Sequence, residues 1–133
     1  MKTLQRLRWM LLTGVLAAPL AFAAPMTEQQ KIDAMIHSVE VLPGAQFIRN
    51  GSAYDGKAAA DHLRSKRNYA GSRIRTAEDF IEGIASRSSM SGKPYQVRFA
   101  DGRTENSEVY FHDELKHLEA QGAAAPVSPK SAP

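Results

Sequence analysis

His62, Lys66 and Tyr69 recur at helical spacing, and Arg73 follows them closely. At 100° per residue, His62 and Tyr69 fall within about 20° of each other, and Lys66 lies between them and Leu63. Such a flank can form a pocket for an anionic group. Lys66 and Arg73 would supply counter-charge, and His62 would act as hydrogen-bond donor or base. The competing account is a solvated helix edge, since helix flanks are polar for solubility alone. The nearby loop Ser91-Gly92-Lys93-Pro94-Tyr95 offers Ser91 and Tyr95 as further contacts. The candidate binding set is therefore His62, Lys66, Tyr69, Arg73, Ser91 and Tyr95, with no residue assigned to catalysis or to a metal.

Other constellations fail on spacing. Asp55 and Asp79 stand where helix N-termini favour negative charge, which leaves no defined carboxylate pair for glycoside cleavage. Ser88-Ser89-Met90-Ser91-Gly92-Lys93 lacks the Ser-x-x-Lys spacing, and Pro94 stands where a phosphate loop needs Ser or Thr. His112 and His117 are five apart, about 140° around a helix, whereas a zinc pair needs four. The chain has no cysteine, which removes thiol nucleophiles, thiolate metal sites and disulfides. No cofactor is implied.

The N-terminus gives an address. Lys2, Arg6 and Arg8 precede the uncharged apolar run Trp9–Phe22, and Ala21-Phe22-Ala23 has the small-x-small pattern of signal peptidase. The expectation is a secretory signal peptide over 1–23, cleaved after Ala23, and a periplasmic, soluble mature chain. The run is short for a membrane span, so no stable insertion of the mature chain is expected. The formal charge of +3 is an effect of this segment. Taking its three cations from the chain's 17 basic residues leaves as many as its 14 acidic ones. A neutral mature protein is a poor nucleic-acid binder.

The remainder must position the flank. Thr27 with Gln30 makes a capping box before Ile32, Met35, Ile36 and Val39, one apolar helical stripe. Asn50-Gly51 between Phe47-Ile48-Arg49 and Ser52-Ala53-Tyr54 predicts a hairpin with a type I′ turn. Asp55 caps a second helix to about Tyr69 with Gly71 as its stop, and Ala59, Leu63 and Ala70 form its thin apolar face. Thr76 and Asp79 open a third helix whose stripe is Ala77, Phe80, Ile81, Ile84 and Ala85. Tyr95, Val97 and Phe99 alternate as a half-buried strand, and Asp101-Gly102 turns the chain. Ser107 caps a last helix bearing Phe111, Leu115 and Leu118. The expected architecture is one α+β domain over 24–121, about four helices packed on a short antiparallel sheet. A tail over 122–133 is too poor in apolar residues to order.

Four stretches are distinctive: Ile48-Arg49-Asn50-Gly51; His62-Leu63-Arg64 with Lys66; Thr76-Ala77-Glu78-Asp79-Phe80-Ile81; and Ser91-Gly92-Lys93-Pro94-Tyr95. On these the chain resembles the YfeK-like family of small exported bacterial proteins of unknown function. The resemblance covers Phe47–Gly102 and extends weakly to Leu115. It implies a Gram-negative periplasmic address and no particular activity. The family pattern tends to carry Trp where this chain has Tyr110, which implies weaker packing there. Two functions stand side by side: a non-enzymatic binding or accessory module for a protein partner or cell-envelope component, and a hydrolase of an envelope polymer using His62 with a carboxylate. A cleft holding His62 and an unpaired carboxylate would mark the enzyme.

Overall fold

The computed structural model describes residues 24–123 together with Gly14. The rest of the expected signal peptide, and 124–133 of the expected tail, lie outside the described residues. The architecture is the expected α+β domain. Helix α1 spans Glu28–Val41, and strands β1 (Gln46–Arg49) and β2 (Ser52–Tyr54) form the hairpin. Helix α2 (Gly56–Ala70) follows, then α3 (Ala77–Phe80), β3 (Gln96–Arg98), β4 (Thr104–Asn106) and α4 (Ser107–Ala123). The four strands are antiparallel in the order β2-β1-β3-β4.

Local chemistry sets the element ends. Thr27 and Gln30 exchange both bonds of the capping box, as do Thr76 and Asp79. Asp55 accepts from the Ala58 N–H, and Gly71 ends α2 at φ +56°. Asn50 and Gly51 both have positive φ, +47° and +80°, as a type I′ turn requires.

The core lies between the helices and one sheet face. Ile32, Met35, Ile36 and Val39 are all buried, and so is the whole stripe from Ala77 to Ala85. Phe80 meets Phe111 edge-on, with ring centroids 5.9 Å apart. Tyr110 is buried, packs on Phe99 and Phe111, and donates its hydroxyl to Ser38 Oγ at 2.9 Å.

Three expectations need correction. On α2 it is Ala60, not Ala59, that is fully buried beside Leu63, while Ala59 and Ala70 are half-buried. Gly56, Ala60, Leu63 and Arg67 recur at i, i+4, i+7 and i+11, and this face lies against α1. A Cβ on Gly56 would stand 2.5 Å from the Val39 carbonyl oxygen, so that contact admits only glycine. Arg64 pairs with Glu40 across the same contact, and Arg67 with Asp33. Second, the third helix does not stay α-helical. After Phe80 it widens into a π turn over Ile81–Ala85, and the Ser86 hydroxyl donates to the Ile81 carbonyl at 2.5 Å. Third, Ser107 is the first residue of α4 rather than a cap before it, and its N–H goes to the Tyr95 carbonyl at 2.8 Å. Helix α4 also runs on through Gly122 and Ala123.

Candidate functional site

The polar centre of the domain lies where β1, α2 and the approach to β3 converge. The tight turn at Asn50-Gly51 folds β2 onto β1 so that Phe47 faces Tyr54 and Arg49 faces Ser52. Arg49 and Tyr54 are then diagonal neighbours on one sheet face. The guanidinium carbon sits 5.1 Å from the Tyr54 ring centroid. Arg49 Nη1 also lies 2.9 Å from His62 Nδ1 and 2.8 Å from Nε2. His62 Nε2 is 3.5 Å from the Tyr95 hydroxyl.

These contacts select a protonation state. A guanidinium only donates, so the imidazole must offer it a lone pair and is neutral. Both ring nitrogens lie within reach of Arg49, and one of them accepts from it. Burial holds the His62 pKa below its ordinary 6.5, and the charges of Arg49 and Lys66 reinforce this.

Lys66 has a different role. Its ammonium donates to the Ile84 carbonyl at 2.8 Å, the Arg87 carbonyl at 3.2 Å and the Tyr95 hydroxyl at 3.3 Å. All three donors are thereby used. The lysine closes the carbonyl end of the π turn and ties α2 to the strand segment. Burial, and then Arg49, lower its pKa. Burial raises that of Tyr95.

Two hollows meet at His62. The first is a cavity of about 260 Å³. Buried Phe47, Leu63 and Phe111 contribute to its wall, as do half-buried Arg49, Tyr54 and His62. Among the described residues no carboxylate lines it. The second is a broad open groove of about 790 Å³ along the outer flank of α2, with Lys66, Tyr69 and Arg73 on one side and Asp79 and Glu82 on the other.

The six sequence candidates thus divide. His62 and Lys66 both reach the Tyr95 hydroxyl. Tyr69 and Arg73 line the same groove from solvent, Tyr69 with 88 % of its surface exposed. Arg73 Nε donates only to the Ala70 carbonyl of its own turn. Ser91 stands apart, its hydroxyl donating to Asn50 Oδ1 at 2.6 Å and so joining the loop to the hairpin turn. Arg49 and Tyr54 belong to the centre but were missed. The available signal was the Ile48-Arg49-Asn50-Gly51 stretch, because the turn fixes which strand residues share a face.

The family model described as "Family of unknown function (DUF5329)" matches residues 26–119. The chain belongs to that family. Within this DUF5329 chain, a stretch of 68 residues is 43 % identical to "Uncharacterized protein YfeK" of Salmonella typhimurium. That match takes in 51 % of this chain and 57 % of the relative's length. No solved structure matches. The fold and the Arg49–His62–Lys66–Tyr95 cluster therefore stand as features of a DUF5329 domain, from which its chemistry must be read.

The state of His62 has a measurable consequence. The folded pKa lies below the unfolded value of 6.5, so the unfolded chain takes up this proton first as pH falls. Stability should therefore be full above about pH 6.5 and decline as pH falls through that value towards the folded pKa. His62→Gln removes the titration and should flatten that part of a melting-temperature profile against pH. An unchanged slope in the variant would assign the effect to another group.

Proposed function

We propose that this chain is an exported, periplasmic binding or accessory module that meets a protein partner or cell-envelope component along the outer groove of α2. The observation that carries it is the exposure of large side chains there. Tyr69 projects from the last turn of α2 beside Arg73, and Met90, 99 % exposed, follows groove residue Ser89 in the chain. Exposed Tyr, Arg and Met are the side chains that interfaces concentrate. The N-terminal charge and small-x-small pattern support the export reading. Among the described residues no helix is long and apolar enough to cross a membrane.

The hydrolase alternative draws less support. It needs a free carboxylate at His62. In the groove, Asp79 accepts the Arg75 and Thr76 N–H groups as part of its cap. Glu82 lines the groove together with His62 and pairs with no cation among the described residues, so it is the carboxylate a hydrolase would have to use, but no bond joins it to His62.

The test pairs stability with capture. Tyr69→Ala and Arg73→Ala alter exposed side chains, so each should change stability by no more than about 0.5 kcal/mol. Each should reduce capture of the periplasmic partner several-fold, since a central interface residue is worth about 1 kcal/mol or more. Equal capture by wild type and both variants would refute the groove. Intact mass of the periplasmic form should begin at Ala24, and a chain that stays in the cytoplasm would refute export.

A further inference from the structure

The cavity on the other side of His62 has a chemistry of its own. Its wall is largely apolar, from Phe47, Ile48, Leu63 and Phe111. Its polar groups are mostly donors. Arg49 uses its Nη1 on His62, and its Nη2 lies 3.5 Å from Tyr54, which leaves most of its five N–H groups unspent. Tyr95 accepts from Lys66, and the one acceptor near its own O–H among the described residues is His62 Nε2, at a long 3.5 Å. Arg49 forms no ion pair with any carboxylate among the described residues, and Lys66, of the same sign, lies close enough for the two charges to repel. A half-buried guanidinium stacked on a tyrosine, near a second cation and with no ion-pair partner among the described residues, lacks its natural counterpart.

We propose that this cavity binds a small amphipathic carboxylate, a short acyl chain whose head group pairs with Arg49 and whose tail fills the space between β1, α2 and α4. The charge complement selects an anion over an amine or an alcohol. The planar fork of Arg49 suits a carboxylate, which can take two parallel N–H bonds. The volume of about 260 Å³ lies just under the range of roughly 300–1,000 Å³ that drug-sized ligands occupy, which selects a medium-length chain. Neutral His62 keeps Arg49 aimed without neutralising it. The inference goes beyond the groove reading and does not depend on it, because the two hollows share His62 alone among their lining residues.

Octanoate is the probe, with octylamine and acetate as controls, titrated into the mature chain by calorimetry and by amide NMR. Octanoate should bind saturably and shift the signals of Arg49, His62 and Tyr95. Octylamine has the tail without the anion, and acetate the anion without the tail, so both should bind at least about tenfold more weakly. Arg49→Gln should weaken octanoate by about tenfold or more through the lost charge-assisted bonds. Ala58→Leu provides an independent variant, because Ala58 is exposed yet lines the cavity. It should fold with an unchanged melting temperature and exclude octanoate sterically. The proposal is overturned by octylamine binding as tightly as octanoate, by Ala58→Leu retaining wild-type affinity, or by no saturable octanoate binding at millimolar concentration. Loss of partner capture in Tyr69→Ala, by contrast, leaves octanoate binding untouched.

Discussion

Phe80→Ala should destabilise the domain by about 3–5 kcal/mol, a large part of the total stability of a chain this size. The side chain is fully buried, sits at the last α-helical position before the π turn, and packs edge-on against Phe111 of α4. Removing it deletes transfer energy and leaves a cavity on a seam between α3, held by its Thr76 cap, and α4, tied at its first residue to the Tyr95 carbonyl. Neither helix can slide in to fill the gap, so the cost belongs at the upper part of the range. Urea denaturation of the variant checks this through the midpoint at unchanged slope. A loss below about 1 kcal/mol would mean that α4 collapses onto α3 far more freely than its packing suggests.

Lys66→Met should cost about 2 kcal/mol, in contrast to the near-neutral Arg73→Ala on the same groove. Methionine keeps the length and the apolar stem but supplies no donors. The Ile84 and Arg87 carbonyls and the Tyr95 hydroxyl each lose the ammonium they face. Hydrogen bonds to a charged group contribute about 1.5–3 kcal/mol each where desolvated, and the half-exposure of Lys66 and the sharing of one ammonium bring three such bonds down to the figure given. The two variants together separate fold from recognition. Were Lys66→Met as stable as wild type while losing the partner, Lys66 would be a recognition residue and its carbonyl contacts incidental.

The sequence was legible where the physics is local. Capping boxes at Thr27 and Thr76, the Asn50-Gly51 turn and the apolar stripes of α1 and α3 depend on residues within a few positions of one another, and each is present. The antiparallel sheet with helices packed on it followed from those pieces. What stayed hidden depends on partners distant in the chain. The angular argument placed His62 and Tyr69 on one flank, which is correct, yet only His62 lies under another element. Ala59 and Ala60 differ by one helical step, and only the position of α1 decides which is buried. Lys66 read as a free counter-charge because the Ile84 carbonyl that it closes belongs to a turn whose widening periodicity does not reveal, and the Arg87 carbonyl lies just beyond it. Arg49 carried no helical pattern, and it reaches His62 only once the hairpin lies on α2.

The sheet is two local hairpins joined along one seam, where Phe47 of β1 faces Val97 of β3. Each hairpin closes a short loop, and such closures take microseconds. The seam closes a loop that contains all of α2 and α3, so it depends on the slower, long-range part of folding. Arg49 stands on one side of that seam and Tyr95 leads into the other. The 260 Å³ cavity is thus absent from either hairpin alone and is completed only when β1 pairs with β3. Whatever occupies it binds the finished fold and none of its precursors. Its effect is that of a latch on the seam: the rate of folding is unaltered, and the native state lives longer before it opens.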